Sequence, residues 1–192
     1  GTLCHDTWKP YYRYTCKHAL CNAHHIRELE RAIEQDNQQW AERMQKLLLD
    51  INQVVKESGG FLVATKAKAF RVQYQKILKE GQKECPPPVR PPGKKKRGRI
   101  PKSKSRNLLE RLGAFENDTL RFMEDPIVTF TNNHGENDLR MTKVQQKISG
   151  CFRSHEGAKI FCRVRSYLST CRKNDVTASK VMEILFDSNL PK

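Results

Sequence analysis

The sequence lacks any apolar run long enough to cross a bilayer, and its acidic residues are outnumbered. A membrane-spanning helix needs about 20 mainly apolar residues in succession, and no segment approaches that length. Asp and Glu number 21 against 36 Lys and Arg, which gives a net charge of +15. Such an excess favours polyanions, because Lys and Arg contact phosphates and release their counterions. We therefore expect nucleic acid as the partner and no membrane.

Glycine-rich nucleotide loops are also missing. Neither the G-x-x-x-x-G-K pattern nor a dinucleotide fingerprint occurs, which argues against an ATP-driven or redox enzyme. The opening residues 1–10 include His, Asp and Trp and do not form a secretory signal. The seven cysteines are an odd and scattered set, unlike the disulfide framework of a small secreted protein. These features predict reduced thiols in a cytosol.

Hydrophobic spacing predicts two short strands followed by helices. Thr2–Cys4 and Ala19–Cys21 have the composition of strands. From Glu28 to Glu57 the apolar residues recur at steps of three, four and seven, which predicts one long helix. After a break at 58–60, a second helix is expected to end at Gly81. The two helices would form an αα-hairpin.

A proline-rich segment, 85–93, runs into a basic one, 94–106. Proline excludes a helix from the first segment, and clustered cations suit contact with a phosphate backbone. A solubilising linker and a localisation signal have the same composition and stay open as alternatives. The candidate DNA-binding residues of this tether are Lys94, Lys95, Lys96, Arg97, Arg99, Lys102, Lys104 and Arg106.

The third part of the chain contains a candidate metal ligand. Helices are predicted from Leu108 to Met123, and Ile127–Phe130 is predicted to be a strand. A helix containing Glu136 should follow. Its buried face would contain Met141, Val144 and Ile148. Two more helices are expected within 156–169 and 176–186.

The charged face of the Glu136 helix combines a carboxylate with cations. Arg140, Lys143 and Lys147 follow Glu136 at steps of four, three and four, so all four side chains share one face. A carboxylate that holds a metal, beside cations that hold phosphates, suits phosphodiester chemistry. A solvated charged face is the alternative for this pattern alone.

Asp6 is the second candidate carboxylate. It follows the first predicted strand, and the carboxyl ends of strands in open α/β sheets carry ligand-binding residues. If Asp6 and Glu136 converge, they could hold a pair of divalent ions. A turn residue is the alternative for Asp6.

Thiols and imidazoles are dense between Cys16 and His25. Their spacing matches no common zinc finger, so we do not predict zinc there. A nucleophilic Cys–His pair remains an alternative. We favour an inert buried role for Cys21 because its neighbours are apolar.

An ordered set of motifs resembles the insertion-sequence 66 family of bacterial transposases. The resemblance covers both ends of the chain and is weak from about 35 to 106. The matching segments are His5-Asp6, Pro10-Tyr11, Leu20-Cys21-Asn22-Ala23-His24, Arg27-Glu28-Leu29, Asn107 to Leu112, Thr131-Asn132-Asn133 through Glu136, Asp138 to Met141, Lys147 to Arg153, Glu156-Gly157-Ala158 and Arg165 to Thr170.

The resemblance implies an α/β fold: a partial ribonuclease-H-like core with a mostly helical insertion. It also implies an Asp-Asp-Glu triad that uses Mg²⁺ (or Mn²⁺), two ions in the complete enzyme, with Asp6 as the second carboxylate and Glu136 as the third. Cys21, His24 and Asn133 would support the site without binding metal. Asn137 stands where the family has Arg.

The implied organisation has four parts. Residues 1–30 would begin the core, 31–84 would form the hairpin insertion, 85–107 the tether, and 108–192 the rest of the core. The first triad Asp is expected upstream, so the chain should be a C-terminal portion, inactive alone.

Its expected partners are double-stranded DNA (transposon ends and target) and further copies or full-length transposase, in the bacterial cytoplasm. A non-catalytic fragment that binds DNA or transposase is one alternative. A ribonuclease-H-like nuclease or resolvase is another.

Overall fold

Two short parallel strands begin the protein. In the computed structural model, which describes residues 1–89, 98 and 100–187, β1 (Thr2–His5) pairs with β2 (Lys17–Leu20). A 3-10 helix at Lys9–Arg13 lies between them in the chain. Both predicted strands are confirmed, although β2 begins and ends earlier than expected because Cys21 already precedes the first helix.

Helices make up most of the described protein. The contacts divide the chain into two units, Gly1–Asn132 and Asn133–Lys192, which we call the N-terminal and C-terminal units. After the strands, the N-terminal unit contains α1 (Asn22–Asp36), α2 (Gln39–Glu57), α3 (Ala64–Glu84), α4 (Lys104–Ala114), α5 (Glu116–Leu120) and a 3-10 helix (Arg121–Met123). The predicted four-part organisation stays a prediction.

The N-terminal unit has one continuous apolar core. Side chains from α1 to α4 and from the 3-10 helix at Arg121–Met123 meet in this core. Tyr74 is buried within the core, and its hydroxyl donates a hydrogen bond of 3.0 Å to the carbonyl oxygen of Leu112. The largest of its fully buried side chains are Trp40, Tyr74, Phe122, Leu29, Met44, Leu48, Ile51, Leu108, Leu112, Leu120 and Met123.

The single long helix predicted over Glu28–Glu57 is wrong, because the chain turns at Asn37. That residue adopts the left-handed conformation, with φ 49° and ψ 40°, and ends α1. Asn tolerates this conformation better than most residues do. The apolar stripe therefore belongs to two helices that pack against each other, α1 and α2.

The predicted helix end at Gly81 is also wrong, since Gly81 lies inside α3. A Cβ at this position would lie 2.8 Å from Leu109 Cδ1 and 2.9 Å from Trp40 Cγ. Glycine is therefore required by the close approach of α2 and α4 to α3, and not by a turn. The predicted hairpin exists as the packed pair α2 and α3.

Residues Ile127–Phe130 do not form the predicted strand. The backbone N–H of Val128 donates to the carbonyl of Asp125 in a turn, at 3.0 Å. One backbone hydrogen bond joins this segment to the start of α1, from Asn22 to the Phe130 carbonyl, also at 3.0 Å. A single bond does not make a strand ladder.

The C-terminal unit consists of three described helices, α6 (Asn133–Ser149), α7 (His155–Lys173) and α8 (Ala178–Phe186). Ser154 and Thr177 cap α7 and α8 by accepting backbone N–H groups. The predicted buried face of α6 is wrong: Met141 is 39% and Ile148 79% exposed.

No described helix combines the length and the apolar character needed to cross a bilayer.

Candidate functional site

Asp6 lies at the carboxyl end of β1 with an exposed side chain. Its Oδ1 accepts a hydrogen bond of 3.2 Å from the backbone N–H of Trp8, which leaves Oδ2 without a hydrogen bond from the described residues. Thr7, which lies between Asp6 and Trp8, has φ 71°, in the left-handed region. A β-branched residue rarely adopts this conformation, and such strain concentrates at functional turns. The predicted strand-end position of Asp6 is confirmed.

Two histidines fix the backbone beside Asp6. The N–H of Thr7 donates to Nδ1 of His5 at 3.2 Å, so His5 carries its proton on Nε2. That nitrogen donates to Nδ1 of His18 at 3.1 Å. Nε2 of His18 then donates to the carbonyl oxygen of Tyr14, at 3.1 Å. Each imidazole in this series accepts one hydrogen bond through Nδ1 and donates one through Nε2. Burial together with His18 lowers the pKa of His5.

Tyr12 covers this histidine pair from the side. Its ring lies 4.6 Å from that of His18 and stacks on Phe115 at 5.0 Å, measured between ring centroids. Its hydroxyl donates to Asp118 at 3.2 Å, and Arg121 donates to the second oxygen of the same carboxylate, also at 3.2 Å. Burial and the Asp118 charge raise the pKa of Tyr12.

This network was not predicted from the sequence, although tyrosines lie close to two strands that each contain a histidine. The network joins both strands to α5, because Asp118 lies on α5. It therefore holds the turn that carries Asp6 against the packed body of the unit.

Cys21 lies between the end of β2 and the start of α1, and His24 lies in the first turn of α1. Cys21 is buried, and its Sγ accepts the backbone N–H of Asn132 at 3.1 Å. The side chain of Asn132 donates to the Cys4 carbonyl oxygen at 3.3 Å. These bonds fasten the end of the N-terminal unit across both strands, which fits the supporting role predicted for Cys21.

His25, in the first turns of α1, is buried and neutral. The side-chain amide of Asn22 donates to the Thr119 carbonyl oxygen at 3.0 Å, so its Oδ1 accepts from His25 Nδ1 at 3.0 Å. Burial, with Arg111 and His24 adding to it, lowers the pKa of His25 to about 3. His25 therefore acts as a structural hydrogen-bond donor near neutral pH.

The C-terminal unit carries the other candidate residues. Glu136 lies in the first turn of α6, and its side chain is exposed. Arg140, Lys143 and Lys147 are exposed along the same helix, which gives α6 the predicted charged face. Asn133, predicted to support the site, is the first residue of the helix. Asp6 and Glu136 belong to different units, so their convergence stays a prediction.

Of the tether cations, Lys94, Lys95, Lys96, Arg97 and Arg99 lie outside the described residues. Lys102 and Arg106 both pair with Glu110, and Arg106 also donates to the Cys85 carbonyl oxygen at 2.8 Å. Lys104 is exposed. Lys104 and Arg106, predicted as part of the tether, already lie in the first turn of α4, and of the described tether cations only Lys102 precedes the helix. The Arg106 contact with Cys85 joins this turn to the end of α3. The DNA contacts of these residues stay predictions.

Most of the chain matches one known protein family. A model described as "Transposase IS66 family" matches residues 1–160. The chain therefore belongs to the insertion-sequence 66 family of transposases, as its motifs predicted. Membership implies DNA as a partner and divalent metal use in general. No curated protein matches the chain, and no solved structure matches it either.

Proposed function

We propose that this chain supplies two carboxylates, Asp6 and Glu136, to the metal-dependent DNA cleavage and strand-transfer centre of a DDE-type transposase. The observation that carries the proposal is the position of Asp6. It follows a parallel strand, its turn is strained at Thr7, and its carboxylate is oriented by the Trp8 N–H.

The local architecture supports a partial ribonuclease-H-like core. Two adjacent parallel strands lead directly into a helix, α1, that packs beside the core. Parallel strands require a crossover connection, and here the chain crosses from β1 to β2 through the 3-10 helix at Lys9–Arg13. Ligand-binding residues of open α/β folds lie at the carboxyl ends of such strands, as Asp6 does.

The donor atoms at the two positions fit a hard divalent cation. Both are exposed carboxylates, and Mg²⁺ prefers oxygen ligands and is bound by one or two carboxylates with substrate phosphates. We propose that Asp6 and Glu136 hold Mg²⁺ (or Mn²⁺). When bound, a pair of such ions activates the attacking oxygen and stabilises the leaving one.

The cations of α6 are proposed to bind the DNA backbone near Glu136. Arg140, Lys143 and Lys147 are exposed on the same side of the helix, and phosphate contacts position a protein without reading sequence. The tether cations would add affinity of the same kind. We place this activity in the bacterial cytoplasm, on transposon ends and target DNA, with further transposase copies as partners.

Two of the three triad carboxylates have matching positions in these 192 residues. We therefore propose that the chain alone binds duplex DNA without completing strand transfer. The test uses a matched pair of proteins: this chain, and a version extended upstream through an acidic strand. We expect salt-dependent duplex binding from both and Mg²⁺-dependent strand transfer from the extended protein only.

Substitution in the extended protein tests the two residues. Asp6→Asn and Glu136→Gln should each lower strand cleavage by at least about a thousandfold, because each removes a charge that holds the ion, while duplex binding persists. Asp50→Asn, an exposed acid on α2, is the control. Wild-type cleavage by either variant, or strand transfer by the short chain, would contradict the proposal.

A further inference from the structure

A basic cleft in the C-terminal unit lies mostly beyond the matched residues 1–160. It has a volume of about 750 Å³ and is bordered by residues of all three helices of the unit. Most of its charged lining comes from the second half of α7. The lining residues that matter here are Asp138, Arg165, Ser169, Arg172, Lys173 and Thr177.

Two guanidinium groups leave the cleft positively charged. Its one carboxylate, Asp138, accepts hydrogen bonds from Ser169 and from Lys173, with which it also forms an ion pair. Arg165 and Arg172 have no acidic partner within the described part of the chain. The Asp138 contacts join α6 to α7 and leave the two arginines to bind an anion from outside.

The Arg165 side chain contains a hydrogen-bond donor that has no acceptor in the described part of the chain. Its Nε is buried and has no hydrogen-bond partner among the described residues. A buried N–H without an acceptor is costly, and a guanidinium binds phosphate oxygens through its fork of donors. An anion in the cleft would supply that acceptor once a shift of the Arg165 side chain exposes its Nε.

The arginine spacing fits a repeating anion. Arg165, Ser169 and Arg172 follow at steps of four and three, so they share one face of α7. Seven residues of helix rise about 10.5 Å, so the two guanidinium groups are far enough apart to bind separate phosphates of one DNA strand.

The start of α8 adds a third attraction. Thr177 caps this nine-residue helix and lines the cleft together with Ala178. The amino end of a helix carries partial positive charge, so it favours the same anion as the arginines.

We propose that this cleft binds the backbone phosphates of one DNA strand through Arg165 and Arg172. The inference rests on the proposed function for its partner, DNA, and adds a contact separate from the cations of α6. An acidic peptide is the competing ligand for a cleft of this charge, and the test below separates the two.

The test measures affinity for a 20-base-pair duplex of unrelated sequence over a range of salt concentrations. The cleft pair Arg165→Gln with Arg172→Gln is compared with Arg153→Gln with Arg163→Gln, exposed arginines of the same unit that do not line the cleft. Both pairs remove the same charge. We expect the cleft pair to weaken binding about tenfold and to lower the salt slope by about 1.8, which is two phosphate contacts. The control should change affinity less than about twofold.

A charge-conserving pair, Arg165→Lys with Arg172→Lys, should retain most of the affinity and shows that weakened binding is not misfolding. Equal losses in the cleft and control pairs would overturn the cleft while leaving DNA binding intact. Absence of salt-dependent duplex binding in the wild type would overturn both this inference and the proposed function. Tighter binding of poly-glutamate than of duplex, weakened by the cleft pair, would assign the cleft to an acidic peptide.

Discussion

The N-terminal unit buries many large apolar side chains in one core, whereas the C-terminal unit leaves nearly all of its described ones at least partly exposed. Among the described residues of the C-terminal unit, only Cys171 and Val181 are buried apolar side chains, and Leu139, Ile148 and Phe186 are more than 60% exposed. Burial of apolar area is the main favourable term in folding. Asp6 is therefore held by a packed scaffold, while Glu136 and the basic cleft depend on helix caps and polar contacts.

The difference in burial between the two units is tested most directly by replacing one leucine with alanine in each unit. Leu112→Ala should lower the free energy of unfolding by about 2–5 kcal/mol, because Leu112 is fully buried and its loss leaves a cavity. Leu139→Ala on α6 should change it by less than about 0.5 kcal/mol, since Leu139 is 61% exposed. Urea unfolding followed by circular dichroism measures both. Similar losses would show that the two units are packed alike.

The close approach at Gly81 predicts opposite effects of two equal changes. Gly81→Ala should destabilise the N-terminal unit by about 1–3 kcal/mol, because the added methyl meets Trp40 and Leu109. Gly113→Ala on α4 should stabilise it by about 0.5–1 kcal/mol, since the nearest atom lies 3.8 Å away and alanine favours helix. Thermal unfolding compares the two, and stabilisation by both would contradict the packing described.

Acid should weaken the N-terminal unit through His25. Its pKa is lowered to about 3 in the folded protein, so the neutral form is favoured and full stability is present above the unfolded pKa, about 6.5. Stability then falls as the pH drops from about 6.5 toward 3. Between pH 7.5 and 5 the loss from this residue should be about 2 kcal/mol.

Urea titrations at the two pH values, followed by tryptophan fluorescence, measure that loss, because both tryptophans, Trp8 and Trp40, lie in the N-terminal unit. His25→Gln should reduce the pH dependence by about 2 kcal/mol. His155→Gln, at the exposed start of α7, should leave it unchanged. Equal pH dependence in all three proteins would exclude His25 as the cause.

The smallest expected effect concerns the caps of the C-terminal unit. Ser154 accepts the backbone N–H of Gly157 at 3.0 Å. Ser154→Ala should therefore cost α7 about 1 kcal/mol, visible as faster amide exchange in the first turn of that helix. Ser166→Ala, in the helix middle and exposed, is the control. Unchanged exchange after Ser154→Ala would mean that other contacts hold α7.

Sequence patterns predicted the local elements better than their tertiary use. The first two strands and most helices follow from periodicity, whereas the strand predicted at Ile127–Phe130 does not form. Asp6 was placed correctly at a strand end. Asn37 was missed because the apolar steps continue across the turn it forms. Gly81 was misread because a glycine that ends a helix and one that allows close packing look alike in sequence. Burial on α6 was overestimated because periodicity does not show whether a partner covers the face.

The candidate site around Asp6 was predictable only in part, because sequence patterns do not show which distant residues pack together. Motif order predicts Asp6 and Glu136 as site residues, which stays a prediction. The hydrogen-bonded series from Thr7 through His5 and His18 could not be predicted, because it requires residues brought together by strand pairing and by α5. The cleft of the C-terminal unit depends on three helices meeting. Arg165 lies within the helix predicted over 156–169, whereas Arg172 lies beyond its predicted end, on the part of α7 that the sequence pattern missed.

The bonds from Arg106 to Cys85 and Glu110 have a practical consequence for handling the protein. They hold the end of α3 beside the start of α4 through noncovalent contacts, and the two helices also pack through Gly81 and Leu109. Severing the peptide chain between residues 89 and 98 should therefore leave two pieces that remain associated. Separately expressed halves that reassemble would allow each to be isotopically labelled alone.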